Sequence, residues 1–190
     1  MKVNWEQMAR EVGSLVVDGR ESGGTHYARA ALSNLLGNKV IVEAVGYCLE
    51  LGPGSELARS VLSLIKPPAA MMECYRVFRD SADPVERGCA VSLLRDVADG
   101  TALGWLDAML NDPEPGIQQG GAALLAELVW DGRVEPEEAE PWVVKAEGHD
   151  NPDVRRVARQ MRRDYRLEEA ELRWREQLAA DGPDDEEHER

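Results

Sequence analysis

The sequence predicts an all-α protein. Helical apolar patterns fill most of the 190 residues, whereas runs with the two-residue alternation of strands do not occur and Phe is found only once. One helical motif also returns five times, at intervals of 30, 28, 32 and 37 residues, or about one helix pair per step. Such pairs bury their apolar faces only by stacking on neighbours, so we expect a stack of repeats. The recurring apolar or small residues are Tyr27/Ala31/Leu35, Leu57/Val61/Ile65, Val85/Cys89/Leu93, Ile117/Gly121/Leu125 and Val154/Ala158/Met161.

The composition, with 43% hydrophobic and 31% charged residues, is typical of a soluble globular chain. We expect a single domain over residues 1–180, because a chain of this length can bury roughly 70% of the surface that it exposes when unfolded. Within this domain, residues 1–24 are predicted to form an N-terminal capping helix and a loop, and residues 164–180 a charged C-terminal helix. Residues 181–190 are predicted to be a disordered acidic tail.

The N-terminal segment has short apolar runs that Glu6 and Glu11 interrupt, which indicates neither a signal peptide nor a membrane span. The three cysteines, Cys48, Cys74 and Cys89, lie far apart in helical apolar patterns. This arrangement favours buried thiols over a disulfide framework. We therefore expect a cytoplasmic protein.

The first helices are bounded by capping and breaking residues. Asn4 can cap a helix that runs to about residue 17. Thr25 and Asn38 can cap the two helices of the first repeat, and Gly37 lies between them, where a left-handed residue is favoured. The segment Gly52-Pro53-Gly54 is predicted to end this pair.

The later helices follow proline turns or polar caps. A loop with about five extra residues separates the predicted helices 115–130 and 135–147, which accounts for the 37-residue step. Proline is favoured in the first turn of a helix, where its missing N–H costs nothing. Helices are predicted to begin after Ser55, Pro67-Pro68, Asp83-Pro84, Thr101, Asp112-Pro113 and Asn151-Pro152.

Three helix openings, DPVERGCAVSLL, DPEPGIQQGGAALL and NPDVRRVARQM, resemble the first helix of HEAT-like repeats. In that helix an Asp-Pro turn precedes an apolar residue, a polar pair, and small and aliphatic core positions. The resemblance covers most of residues 25–163 and implies a short right-handed α-solenoid of about four to five helix pairs. Gly120-Gly121 departs from the usual Ala or Val pair, and Arg155-Arg156 supplies the polar pair only in the fifth repeat. HEAT-like proteins include scaffolds, adaptors, subunits and a few enzymes, so the resemblance points to a fold more than to a function.

By this resemblance, the second helix of each pair lines the concave side, and each second helix carries an aromatic residue. Exposed rings there would be anchors for a protein partner, whereas packing between repeats is the alternative interpretation. The aromatic residues are Tyr47, Tyr75, Trp105 and Trp142. The acidic residues near them would suit a Lys/Arg-rich partner, although an ordinary solvated face explains them equally well. They are Glu43, Glu50, Glu73, Asp107 and Glu138.

The net charge is −14, from 36 acidic and 22 basic residues, and it would repel phosphate backbones. Nucleic acid is therefore not an expected partner, whereas a basic protein would be attracted. Acidity of this size also promotes solubility by itself. Six arginines between Arg155 and Arg166 could form a local anion site, but Asp164 and Glu168 dilute their charge.

Motifs for catalysis, metals and cofactors do not occur in the sequence. CxxC and HExxH are absent, and His26, His149 and His188 are far apart, so we expect neither a metal site nor a cofactor. Gly52-Pro53-Gly54 lacks the third glycine of a dinucleotide-binding loop. HEAT-like DNA glycosylases are an enzymatic exception, but they need a basic concave face. We therefore expect no enzymatic activity.

These observations predict a non-catalytic module that binds a basic protein partner through an acidic, aromatic-lined concave face. Its most concrete form is an immunity protein that neutralises a toxin, because small, acidic, helical stacks resemble such bacterial proteins. The alternative is a scaffold or assembly subunit that docks into a larger complex through helix 164–180. A HEAT-like DNA glycosylase is the remote alternative.

Overall fold

The computed structural model describes residues 3–16, 20–165 and 173–176, and most of these residues are helical. No strand occurs among them, and the pairing of Leu15 with Glu21 is an isolated bridge. The predicted all-α class is therefore confirmed. None of these helices combines the length and the apolar character that crossing a lipid bilayer requires. The helices are α1 (Trp5–Glu11), α2 (Thr25–Leu49), α3 (Ser55–Ile65), α4 (Pro68–Asp80), α5 (Pro84–Val97), the 3-10 helix Gly100–Trp105, α6 (Leu106–Leu110), α7 (Pro115–Trp130), α8 (Pro136–Glu147) and α9 (Pro152–Tyr165).

The chain divides into two compact units, Met1–Ala98 and Asp99–Arg190. In the first unit, α2 packs on α3 and α4, and α5 packs on α3 and α4. In the second unit, α7 packs on α6, α8 and α9, and α8 also packs on α9. Contacts between helices two steps apart, such as α2 with α4 and α7 with α9, are expected in layered helix pairs. The packing in each unit is thus compatible with helical repeats. The single domain that the sequence predicts over residues 1–180 stays a prediction.

Proline and capping residues set most helix starts, as the sequence predicts. Five helices (α4, α5, α7, α8 and α9) begin with a proline, whose fixed φ suits the first helical position. The Asn4 side chain accepts a hydrogen bond from the Gln7 backbone N–H at 3.2 Å. The Asp83 carboxylate accepts one from the Val85 N–H at 2.9 Å. Each bond pairs one of the N–H groups that a helix start leaves without an intrahelical acceptor.

Some predicted caps are wrong. Thr25 and Ser55 are the first residues of their helices and follow glycines, so neither residue is the cap. The predicted break at Gly37 is present, however, because Gly37 has non-helical angles (φ 74°, ψ 154°) and two helical segments of α2 meet there at a kink. Thr101 is not a cap either. It lies inside the 3-10 helix Gly100–Trp105, which Asp99 caps: the Asp99 carboxylate accepts a hydrogen bond from the Thr101 N–H at 2.9 Å.

The recurring apolar or small residues of the helical motif are buried in the second unit, as predicted, but some of those in the first unit are exposed. Ile117/Gly121/Leu125 and Val154/Ala158/Met161 are buried. Leu57 and Val85, however, are 71% and 66% exposed. In α3 the buried residues are Leu62 and Ile65. Apolar residues lie on two faces of α3, and periodicity alone does not tell which face meets the neighbouring helices.

The C-terminal predictions fall largely outside the described residues. Of the predicted helix 164–180, residues 166–172 and 177–180 are outside them, as is the predicted tail 181–190. Residues 173–176 are helical, and Arg173 forms an ion pair with Glu137 of α8 at 2.8 Å.

Candidate functional site

The first unit contains an open cleft of about 1110 Å³, formed by α1, α2 and α4. The kink at Gly37 shapes one wall, because residues on both sides of it, including Asn34 and Asn38, line the cleft. The other wall begins at Pro67-Pro68, where α4 starts, and continues along the face of α4 that carries Met72. Two local breaks in the helical pattern therefore produce this concave surface.

The cleft exposes apolar side chains to solvent. Ile41 is buried, whereas Val42 and Met72 are 37% and 53% exposed. Tyr75 is half-buried and lies one helical turn after Met72. An unbranched, polarisable methionine adapts its shape to different partners, and a tyrosine combines apolar area with a polar tip. This combination suits the binding of another chain.

The charged groups of the cleft are largely paired. Arg76 donates two hydrogen bonds to the Glu73 carboxylate, at 2.9 and 2.6 Å. The hydrogen bond from Arg76 holds the pKa of Glu73 below its ordinary value. Arg79 pairs with Asp80 at 2.9 Å. Each arginine therefore has a carboxylate neighbour, and Glu11, which accepts a hydrogen bond from Gln7 at 2.8 Å, also lines the cleft.

None of the four predicted aromatic anchors is fully buried. Tyr47 is 44% exposed and donates its hydroxyl hydrogen to the Pro53 carbonyl, and it is not part of the cleft. Tyr75 lines the cleft, and its ring centroid is 6.2 Å from that of Phe78. Trp105 and Trp142 are half-buried in the second unit.

The predicted acidic residues are dispersed. Glu73 lines the cleft, whereas Glu43 and Glu50 are exposed on α2 and at its end. In the second unit, Asp107 pairs with Lys145. Glu138 accepts a hydrogen bond from the backbone N–H of Glu135, at 3.3 Å, and so helps to cap α8. Of the nine predicted partner-binding residues, the cleft therefore brings together only Tyr75 and Glu73.

Arginines of the basic stretch make contacts within the chain. Arg155 donates hydrogen bonds to the carbonyl groups of His149 and Asp150, at 2.6 and 2.7 Å. Arg156 pairs with Asp153 at 3.1 Å. Arg162 binds two carboxylates of α8, and Arg166 lies outside the described residues. Arg162 therefore joins α8 to α9 from a largely buried position, whereas the Arg156–Asp153 pair is exposed on the surface.

Most residues that line the cleft were not predicted from the sequence. They include Asn34, Asn38, Val42, Met72 and Arg76. A signal for the α4 wall was present, because residues 72, 75, 76 and 79 share one face of a helix that two prolines introduce. No sequence signal pairs that face with the kink in α2, since the two elements lie about 35 residues apart.

In the described part of the chain, no three His, Cys, Asp or Glu side chains group closely enough to bind a metal ion. No protein-family model matches the chain, and neither a curated protein nor a solved structure is significantly similar to it. The cleft and the net charge of −14 are therefore the features from which a function is proposed.

Proposed function

We propose that this protein is a non-catalytic module that binds a basic protein partner, and that the cleft between α2 and α4 grips a segment of that partner. The observation that carries the proposal is the exposure of Val42 and Met72 beside Tyr75 in a cleft of about 1110 Å³. Apolar and aromatic anchors in a concave site dominate the energetics of protein interfaces.

Several features favour a protein segment over a small molecule. The cleft volume exceeds the range of roughly 300–1,000 Å³ that is usual for small-molecule sites, and the cleft is open to solvent. The side-chain amides of Asn34 and Asn38 provide donors and acceptors that match a peptide backbone. A peptide can bond to these amides and contact Met72 and Tyr75 of α4 at the same time.

Charge complementarity supports a basic partner. The chain carries a net charge of −14, and the two cleft arginines already have carboxylate neighbours. Attraction between opposite charges accelerates association and weakens as salt screens it. The narrower form of the proposal is an immunity protein that occludes a basic toxin, and the HEAT-like helix openings and the acidity of the chain support it.

The experiment measures binding to basic proteins encoded beside this chain, at low and high salt. Tyr75→Ala and Met72→Glu are each expected to weaken binding about 30-fold, the equivalent of roughly 2 kcal/mol. Val85→Ala is the matched control, because Val85 is 66% exposed on α5 and is not part of the cleft. Binding that ignores both cleft substitutions, or that does not weaken with salt, would refute the proposal.

Trp105→Ala tests whether the interface extends beyond the cleft. The ring is half-buried in the second unit. A loss of binding that matches the effect of Tyr75→Ala would support the whole predicted set of aromatic anchors. Unchanged binding would restrict the interface to the cleft.

A further inference from the structure

A small pocket of about 80 Å³ lies between the end of α2, α3 and α5, and two cysteines line it. Cys48 is the penultimate residue of α2, and Cys89 lies in the second turn of α5. α2 also packs directly on α5, so the pocket is a gap at the junction of these helices. A gap of this volume holds only a few water molecules. The two cysteines therefore share one confined space.

Hydrogen bonds fix the walls of the pocket. The Cys48 thiol donates to the Ser55 carbonyl at 3.6 Å, which ties the end of α2 to the start of α3. Arg59 of α3 donates to the carbonyl and the hydroxyl of Ser92, at 3.0 and 3.2 Å. Ser92 follows Cys89 by three residues and lies on the same face of α5. Cys89 is thus on the side of α5 that faces α3 and the end of α2.

The two thiols differ in their access to solvent. Cys89 is half-buried, whereas Cys48 is buried. Burial raises the pKa of the Cys48 thiol, and the nearby Arg59 guanidinium opposes this effect. An oxidant from solvent therefore reaches Cys89 first, with Cys48 in the same pocket as a second thiol. Accessible cysteines that sense oxidants often lie next to such a second, resolving cysteine.

Cys74 is the alternative partner for Cys48, because the electrostatic influence of Cys48 contributes to the raised pKa of Cys74. Cys74 is buried in α4, however, and it does not line the pocket. Burial is the main cause of its strongly raised pKa, so its thiolate, which is the reactive form, is scarce. The shared pocket and the accessibility of Cys89 both favour the pair Cys48 and Cys89.

We propose that Cys48 and Cys89 are a redox-sensitive pair, which a peroxide converts into a disulfide between α2 and α5. Hydrogen peroxide transfers one oxygen atom to the Cys89 sulfur, which gives a sulfenic acid and one water molecule. The Cys48 sulfur then attacks the Cys89 sulfur. A sulfur–sulfur bond forms, the sulfur–oxygen bond breaks, and the hydroxyl group leaves as water with the proton of the Cys48 thiol. The two thiols are thus oxidised by two electrons, and the peroxide is reduced to two water molecules.

This inference goes beyond the proposed function, because no residue of the pocket lines the cleft between α2 and α4. Its test needs no binding partner. A failure of the disulfide to form would therefore leave the proposed function standing, and the reverse also holds.

Mass spectrometry of the folded, reduced protein after treatment with hydrogen peroxide near pH 8 tests the pair. The intact mass should fall by about 2 Da, which is the loss of one hydrogen atom from each thiol. Peptide mapping should find Cys48 joined to Cys89. Cys74→Ser is the matched control and should form the same product.

Two further variants separate the steps of the reaction. Cys48→Ser should leave the sulfenic acid of Cys89 unresolved, so that dimedone labels Cys89 at least about tenfold more than in the wild type. Cys89→Ser should abolish the loss of mass at the same peroxide concentration. Circular dichroism checks that each variant is folded.

Three results would overturn the proposal. They are a wild-type protein that keeps its thiols reduced, one that joins Cys48 to Cys74, and one in which Cys89 is oxidised further to a sulfinic acid without forming a disulfide. Each of them is measured on the wild-type chain and does not depend on the folding of a variant.

Discussion

Arg162 of α9 donates two hydrogen bonds to Glu140 of α8, at 3.1 and 2.8 Å, and the Glu140 side chain is completely buried. Arg162 also donates to Glu147 at 2.9 Å. Burial disfavours the charged guanidinium, but the hydrogen bonds to these two carboxylates outweigh that effect, so the pKa of Arg162 lies above its ordinary value. A buried carboxylate is tolerated only with such a partner, and the cluster joins α8 to α9.

Removing Arg162 should therefore destabilise the protein strongly. Arg162→Met is expected to lower the free energy of unfolding by about 3–5 kcal/mol, because the buried Glu140 carboxylate would lose both hydrogen bonds that Arg162 donates to it. Urea denaturation measures this change. Arg156→Met on the same helix removes an exposed ion pair and should cost less than about 1 kcal/mol. Equal losses for the two variants would show that the buried cluster contributes no more than a surface pair.

Gly121 allows α7 to approach α6 closely. A Cβ atom at Gly121 would lie 2.8 Å from the Cβ of Met109, closer than two carbon atoms can approach without a backbone shift. Gly121→Ala should cost about 1–3 kcal/mol of unfolding free energy, which thermal or chemical denaturation can measure. Gly116→Ala, in the first turn of the same helix, meets no neighbour and should be neutral or stabilising by up to about 1 kcal/mol. Similar changes in the free energy of unfolding for the two variants would argue against close packing at Gly121.

Leu51 adopts a left-handed backbone conformation with φ of 55° and is 65% exposed. Leu51→Gly should raise the free energy of unfolding by about 0.5–1 kcal/mol, because glycine accepts this conformation without the steric cost and little buried area is lost. The midpoint of thermal unfolding should rise accordingly. Leu51→Ala keeps the Cβ atom and should give no gain. A lower midpoint for the glycine variant would contradict this assignment of strain.

The cysteines should differ in reactivity. Burial raises the pKa of the Cys74 thiol strongly and also raises that of Cys48, whereas Cys89 is only half-buried. A thiol reagent applied to the folded protein near neutral pH should modify Cys89 first, and Cys89→Ser should remove the fast phase. A fast phase that survives Cys89→Ser would show that a buried thiol is accessible.

The same cysteines predict a loss of stability in alkali. Well below pH 9, the ordinary pKa of the thiol, both the folded and the unfolded states keep these thiols protonated. As the pH rises through this value, the unfolded chain releases protons from Cys48 and Cys74 more readily than the folded chain does, so the free energy of unfolding falls. Chemical denaturation at pH 8 and pH 10 should show this fall, and Cys74→Ala should reduce it. If the free energy of unfolding fell as much between pH 8 and pH 10 in the Cys74→Ala variant as in the wild type, other groups would be the cause.

Parts of the candidate site were predictable from local pattern. Tyr75 and Glu73 were predicted because they stand near equivalent positions of a repeating helix pair, and both line the cleft. Val42 and Met72 were not predicted, because single apolar residues on a helix give no sign of whether another helix will cover them. The burial of Leu62 in place of Val61 shows the same ambiguity in α3.

The sequence by itself determined the all-α class, the helix starts at prolines such as Pro84 and Pro152, and the buried register of α7 and α9. These features depend on interactions within a few residues of the chain, where capping, fixed φ angles and one clear apolar face act together. Only the tertiary structure decided that the break at Gly37 faces α4 across a cleft, and that Leu62 and not Val61 of α3 is buried. Those outcomes depend on contacts between segments far apart in the chain, and local patterns carry no information about such contacts.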